Sequence, residues 1–431
     1  MTKVFTGASF DPSANVEVTR DHERDLASLG ERLERRGVAL DREIEAVRQF
    51  AVAVPSWALG TGGTRFGRFP GAGEPRRLSE KLEDAAVVHR LTGAAPRVSL
   101  HIPWDVPDDT AAVRQFAAEL GIGFDAVNSN TFQDQPGQLL SYKLGSFSHP
   151  DAAVRRQAVE HNLFAIEVGK ELGSQAITIW LADGSDYPGQ MSLRKSFDRV
   201  LECLRDVYAA LPDGWRLFTE HKPYEPAFYA SVVQDWGSSY LLATALGDRA
   251  QCLVDLGHHL PNTNIELVVA RLLGAGKLGG FHFNDSKYGD DDLTAGSIKP
   301  YGLFLVFHEL VQAERERLGG FTPAYMIDQS HNTKDPLEAM LQTVEQLQLA
   351  YAKARLVDHA ALEAFQESGD PLMAERTLKE AFETDVRSLV AEARRRSGGA
   401  LDPVIAFRNS GYRARKAAER AGADYVPPQS L

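Results

Sequence analysis

Apolar runs of six to nine residues punctuate the chain from residue 50 onward. Each is followed by a polar or glycine-containing turn, and then by a longer segment with apolar residues at helical spacing. The runs are FAVAVPSW (50–57), RVSLHI (97–102), FDAVNSN (124–130), AITIWL (176–181), RLFTEHK (216–222), QCLVDLGHH (251–259), LGGFHF (278–283) and AYMIDQS (324–330), and they read as buried strands. Among the segments between them, 151–173 opens on Asp151, a natural N-cap, and stops at Gly173. The segment 192–210 opens on Ser192 and carries Leu193, Phe197, Val200, Leu201, Leu204 and Val207 on one helical face, and 263–275 and 335–355 behave alike. Eight strands alternating with helices predict an α/β fold, a parallel sheet closed into a (β/α)8 TIM barrel. Charged helix formers over 15–48 add an N-terminal helical extension. After residue 358 the alternation stops, and helical, charged segments follow. The predicted division is an extension over 1–48, a catalytic barrel over 49–357 and a C-terminal helical arm over 358–431 that packs on the barrel or on another subunit.

In such a barrel the chemistry belongs to the C-terminal ends of the strands. The last four runs all end in metal-competent or charged groups. Glu220 and Lys222 have the period-two spacing that puts both on one face of a strand. Asp255 and His258 stand where the next strand turns into its loop. His282 lies on LGGFHF, and Asp285, Asp290, Asp291 and Asp292 crowd the loop behind it. Asp328 ends the last run. Three adjacent acids are costly to hold in a folded loop unless they are solvated or face a cation, and imidazole with carboxylate suits Mn(II) or Zn(II). Glu220, Asp255, His282 and Asp328 would form one site, His258, Asp290 and Asp292 a second, and Asp255 would bridge them. Two ions about 3.5 to 4 Å apart can hold substrate oxygens and polarise a carbonyl, while Lys222 stabilises a developing oxyanion. Trp57, Trp104, Phe132 and Trp180, at strand ends, are of the kind that covers the apolar face of a sugar ring. Asn128, Asn130 and Asp183 are candidates for hydroxyl binding or plain turn residues. Each has a mundane account alone, as a core histidine at His101 or an ion-pair partner at Lys222. Their collection at strand ends favours a site.

Composition narrows the partners. A net charge of -12, with no basic tract, argues against nucleic acid. No apolar stretch reaches membrane length, and the start MTKVFTGASF lacks a signal-peptide core, so the expectation is a cytoplasmic protein. Cys203 and Cys252, the two cysteines, are expected to be packing residues. The glycine-rich stretch 58–75 lacks the GK[ST] ending of a phosphate loop and fits a lid or contact loop carrying Phe66 and Phe69. With no phosphate clamp visible, the expected substrate is a small, oxygen-rich, unphosphorylated molecule.

Several motifs are long and occur in order: VPSWALGTGGTRFGRFPG, SLHIPWD, FDAVNSNTF, TEHKPYEPAFY, CLVDLGHHLPNTNIE, GGFHFNDSKYGDDDL and MIDQSHN. Together they resemble the L-rhamnose isomerases of the broad-specificity microbial type, within the xylose-isomerase-like barrels, over nearly the whole chain. The resemblance implies two divalent ions per subunit, Mn(II) with Co(II), Mg(II) or Zn(II) as substitutes. A structural ion would be held at Glu220, Asp255, His282 and Asp328, and a catalytic ion at His258, Asp290 and Asp292 with Asp255 shared. It implies interconversion of L-rhamnose and L-rhamnulose, activity on other aldoses such as D-allose, and a homotetramer in which Phe66 reaches a neighbouring subunit's site. The mechanism expected is a hydride shift from C2 to C1. His101 would assist ring opening, and Asp328, or a hydroxide on the metal, would take the O2 proton. Lys222 and His258 would contact the sugar among walls of Trp57, Phe66, Phe132 and Trp180. A C3 sugar epimerase, a metal-dependent DNA-repair nuclease and a non-catalytic sugar-binding protein are the competing expectations.

Overall fold

The computed structural model describes residues 16–60, 69–318, 322–330 and 333–421. Its barrel strands are β1 (Ala53–Pro55), β2 (Arg97–Ser99, continued by His101–Ile102), β3 (Gly123–Phe124, continued by Val127–Ser129), β4 (Ala176–Trp180), β5 (Arg216–Glu220), β6 (Ala250–Asp255), β7 (Leu278–Phe283) and β8 (Ala324–Ile327). Neighbours pair in parallel all the way round. Ala53 of β1 meets Met326 of β8 on one side and Arg97 of β2 on the other, so the sheet closes on itself. The breaks within β2 and β3 divide this ring into ten short strands, whose sequence of neighbours begins and ends on halves of those same two strands.

Eight helices follow the eight strands: α3 (Leu78–Thr92), α4 (Thr110–Glu119), α5 (Ala152–Leu172), α6 (Leu193–Ala209), α7 (Trp236–Leu246), α8 (Ile265–Gly274), α9 (Pro300–Glu316) and α10 (Pro336–Arg355). The expected (β/α)8 architecture is therefore the observed one. Asp151 caps α5 by accepting from Ala153 N at 2.8 Å, and Gly173 ends it in the left-handed conformation that only glycine adopts without strain. The helix expected over 263–275 starts later, because Asn264 supplies the cap by accepting from Leu267 N.

The helical segment expected over 15–48 is two helices, α1 (Val16–Glu34) and α2 (Leu40–Gln49), turned at Gly37 with φ 70°. Beyond the barrel come α11 (His359–Ser368), α12 (Pro371–Glu383), α13 (Arg387–Arg396), α14 (Pro403–Asn409) and α15 (Tyr412–Glu419). Three of these start on an aspartate cap, and α12 and α14 add a proline at the first turn. Helix α13 packs on α1, α2 and α10, and buried Glu392 joins His22 of α1 at 3.1 Å to Arg395 and Arg396. At the far end, Arg413 and Arg420 both donate to the Gly73 carbonyl, at 3.0 and 2.6 Å, while Arg420 pairs with buried Asp84. The last helix thus ties down the loop that follows β1.

Most of the apolar core lies between the strands and the surrounding helices. A small inner cluster, Ala53, Ala126, Ala176, Phe218, Leu253 and Met326, fills the middle of the barrel. The inward side chains two residues further along β5 and β6 are Glu220 and Asp255, so the barrel interior turns polar toward its C-terminal end. Among the described residues, no helix is long and apolar enough to cross a membrane.

Candidate active site and metal centre

Period-two alternation aims Glu220, Asp255 and His282 into the barrel, and Asp328 follows directly on β8. Ligand-capable atoms of these four lie within 4.8 Å of one another. His282 Nδ1 stands 3.0 Å from Glu220 Oε1, 3.7 Å from Asp328 Oδ2 and 3.9 Å from Asp255 Oδ2. A second group, Asp255, His258 and Asp290, meets the same limit, and Asp255 belongs to both. His258 reaches Asp290 Oδ1 with Nε2 at 3.1 Å and Glu220 Oε1 with Nδ1 at 3.2 Å. Two ring nitrogens therefore converge on one carboxylate oxygen.

The electrostatics describe an unbalanced set. Burial pushes Asp255 up to about 7, with Asp290, Glu220 and Asp328 adding to the rise. Burial also raises Asp328 against the pull of His282. Burial works against His282 too, but Glu220, Asp328 and Asp255 outweigh it and lift the ring to about 9. Crowded, water-excluded carboxylates and imidazoles within ligand distance of one another suit divalent cations, which supply the missing positive charge. The donor set therefore fits metal at both groups.

Above the two groups lies a cavity of about 160 Å³ lined by Trp57, His101, Trp104, Phe132, Trp180 and Lys222, among others. Its volume is below the range of roughly 300–1,000 Å³ usual for drug-sized ligands, which restricts it to something small. Trp57 Nε1 donates to Asp328 Oδ1 at 2.8 Å. His101 stacks on Trp104 at 4.1 Å, and Phe132 leans on Trp180 at 4.5 Å. Lys222 ion-pairs with Asp290 and with Glu225, the latter at 2.8 Å, and its ammonium lies 4.7 Å from the centre of the Trp180 ring.

A sequence profile of the xylose isomerase-like TIM barrels matches residues 88–312, a span that includes β2 to β7. The chain belongs to this family. It is 59% identical over 420 residues to a "probable sugar isomerase" of Mesorhizobium japonicum, covering 97% of each chain. A second protein of that name, from Rhizobium meliloti, is 59% identical over 92% of each chain. The xylose isomerase of Thermus thermophilus is 31% identical over 51% of this chain and 60% of its own. Among solved structures, an L-ribulose 3-epimerase superposes with a TM-score of 0.52 at 16% identity, over 71% of this chain and 96% of the epimerase, a likeness of fold.

Within this xylose isomerase-like barrel, a shell of neighbours fixes the charged groups. Asp255 accepts from Gly257 N at 2.7 Å and from Asn284 Nδ2 at 2.9 and 3.1 Å. A Cβ at Gly257 would stand 3.1 Å from the Asp290 Cα and 3.3 Å from Asp255 Oδ1, so a bare backbone suits the approach of the two strand-end loops. His101 is buried and neutral, its pKa driven down to about 3 by burial.

The acidic loop divides in a way its sequence does not announce. Asp290 and Asp292 line the cavity. Asp285 and Asp291, which are not among the expected ligands, do not line it. Asp285 accepts from the backbone N–H groups of Ser286, Ile298 and Lys299, and Asp291 from those of Lys287 and Tyr288. Asp292 sits in the wall with Ser330 Oγ 3.2 Å away, outside the triad of Asp255, His258 and Asp290. Asp183, a candidate for hydroxyls, instead holds the backbone of Ser146 and Ser148. Asn128 lines the cavity, whereas Asn130 does not. Phe66 lies outside the described residues, and Phe69 is exposed.

Sequence reasoning missed the support beneath His101. The buried carboxylate of Asp105 accepts from the His101 backbone N–H at 3.1 Å and from Ser56 Oγ at 2.5 Å, and pairs with Lys81 Nζ at 2.7 Å. Burial raises this carboxyl, but Lys81 and the two hydrogen bonds outweigh it and leave its pKa below the ordinary carboxylate value. The signal was present. Lys81 is a charge on the apolar stripe of α3, at helical spacing from Ala85 and Val88. Gln133, Glu225 and Ser330 of the cavity wall were also missed.

Proposed function

We propose that the protein is a metal-dependent aldose-ketose isomerase that interconverts L-rhamnose and L-rhamnulose and accepts other aldoses such as D-allose. The observation that carries this reading is the pair of ligand groups sharing Asp255, with Lys222 and His101 in the lining of one small aromatic-walled cavity. The names of the two relatives at 59% identity support an isomerase. The ordered motifs that resemble the broad-specificity L-rhamnose isomerases support the sugar. Glu220, Asp255, His282 and Asp328 would hold one divalent ion. His258, Asp290 and Asp255, with Asp292 close by, would hold the other, and Mn(II) is the proposed metal at both. When bound, the ions act as Lewis acids and as a template for the sugar oxygens.

The residues divide the remaining work. His101, neutral near pH 7, passes a proton between the anomeric hydroxyl and the ring oxygen as the pyranose opens. Trp57, Phe132 and Trp180 cover the apolar faces of the chain and exclude water. Asp328, held in place by the Trp57 N–H, takes the proton from O2. The hydride then moves from C2 to C1, the Lys222 ammonium stabilises the charge that gathers on O1, and O1 takes up the proton held by Asp328, which resets the base. The same reading takes the enzyme to be a cytoplasmic homotetramer, with residues 1–48 and 358–431 flanking the catalytic barrel.

Steady-state turnover of L-rhamnose, D-allose, L-mannose and L-lyxose after chelation and manganese add-back tests the proposal. The expected result is metal-restored isomerisation with L-rhamnose among the best substrates, and no solvent deuterium at C1 when the reaction runs in heavy water. A product inverted at C3, formed with one ion per chain, would instead establish an epimerase.

A further inference from the structure

The amino-terminal mouth of this barrel is hollow. A (β/α)8 barrel ordinarily fills its interior with layers of bulky branched side chains, yet here Ala53, Ala126, Ala176 and Ala324 face a cavity of about 670 Å³. This cavity shares no lining residue with the substrate cavity. Phe218, Leu253 and Met326 fill the barrel between the two.

Its polar lining is cationic, although the chain carries a net charge of -12. Arg97 at the start of β2, Arg114 of α4 and Arg216 at the start of β5 all reach it, against the single carboxylate of Asp125. Arg216 is fixed: its Nη1 donates to the Thr322 carbonyl at 2.8 Å and to Gln251 Oε1 at 3.3 Å, and its guanidinium lies 4.9 Å from the Phe218 ring centre. Among the described residues, its other nitrogens have no hydrogen-bond partner. Arg97 Nη1 stands 3.5 Å from Asp125 Oδ2, and among the described residues Arg114 makes only a long bond, 3.4 Å, to the Glu171 carbonyl. Three planar, permanently charged forks with spare donors around one partly buried space suit a compact anion that accepts several hydrogen bonds at once.

We propose that the amino-terminal mouth of the barrel binds one small divalent oxyanion between Arg97, Arg114 and Arg216. Bound there, the anion ties the starts of β2 and β5 to α4 and stabilises the barrel from the end remote from the reaction. Inorganic sulfate is the first probe, because it chelates the active-site metals least. The metal-loaded enzyme is titrated with sodium sulfate by calorimetry and thermal unfolding, against sodium chloride at equal ionic strength. Phosphate and malonate follow, to separate inorganic from carboxylate ligands.

The expected result is one saturable site per chain, with Tm raised by about 1.5 °C at ten times Kd. The R97Q/R114Q variant, altered at two largely exposed side chains far from the substrate cavity, should bind about tenfold or more weakly, the scale of one lost charge-assisted hydrogen bond. Its isomerase activity should be unchanged. A sulfate effect that never saturates is the general action of an excluded salt, and would overturn the site. So would saturable binding that the variant leaves intact, since the anion would then sit elsewhere.

Discussion

The Lys81–Asp105 pair beneath His101 makes a prediction whose sign is unusual. Both side chains are almost fully buried, 4% and 1% exposed, with 2.7 Å between charges. Replacing Lys81 by Met leaves the Asp105 carboxylate buried without its counter-ion. Breaking one half of a buried pair costs about 3–5 kcal/mol. Unfolding entropies near 2.1 cal/mol/K per residue convert that loss, for a chain of this length, into a fall in Tm of roughly 3–6 °C. Asp105→Asn alone strands the lysine and should cost a similar amount. The double variant Lys81→Met, Asp105→Asn strands neither charge, and the amide oxygen of the new side chain can still accept from the His101 N–H and Ser56 Oγ. It should therefore be more stable than either single variant, by about 2 kcal/mol or more. Its kcat should stay near the parent value, because His101, Trp57 and Trp104 keep their anchor. Thermal unfolding of the four metal-loaded proteins at one concentration and pH 7 decides the matter. A double variant whose loss equals the sum of the two single losses would refute the argument, since the pair would then contribute no coupling.

Three further outcomes follow from the geometry. Trp57→Phe keeps the aromatic wall but removes the N–H that Asp328 accepts, so kcat/KM should fall about tenfold or more, measured by initial rates on L-rhamnose. Asp255→Asn alters the residue common to both candidate ligand groups, and elemental analysis after manganese loading and dialysis should show less metal than Asp328→Asn, which touches one group alone. Glu392 is held down to about 2, chiefly by the Arg395 hydrogen bond. A depressed carboxyl stabilises the fold above its unfolded pKa and stops doing so as pH falls through the folded one. The Tm advantage of the native protein over Glu392→Gln should be full at pH 7, shrink below about 4.5 and vanish near 2.

The eight strands and the helices between them were legible because period-two and period-3.6 apolar patterns alternate cleanly from residue 50 to 355. Glu220, Asp255, His282 and Asp328 were legible for a related reason. A parallel barrel sends all its strands the same way, so charges at consecutive run ends must meet at one mouth. What the pattern could not show is which polar residue serves the backbone. Asp183 looks like a cavity residue by position, yet its carboxylate is consumed by the turn at Ser146–Ser148. Lys81 stands out as a charge on the apolar stripe of α3, yet nothing in that stripe names its partner, a buried aspartate twenty-four positions away. Contacts of that sequence separation leave no periodic trace.

The loop 289–292 shows how backbone conformation assigns roles that composition leaves open. Asp290 and Asp292 both adopt the left-handed conformation, with φ of 46° and 48°. This is a region that costs most residues roughly 1–2 kcal/mol but that aspartate tolerates better than most. The two acids so placed both line the cavity. The residue between them, Asp291, accepts from the N–H groups of Lys287 and Tyr288 and so closes the loop on itself. Three consecutive aspartates thus perform two tasks, and strain at the outer two is offset by hydrogen bonds made by the middle one. An alanine at 291 should therefore damage the site without touching the cavity, by releasing Asp290 from its approach to His258 and Lys222. Its signature would be weakened ion retention at the His258 group while Glu220, His282 and Asp328 keep theirs, and an equal loss at both groups would refute this division of labour.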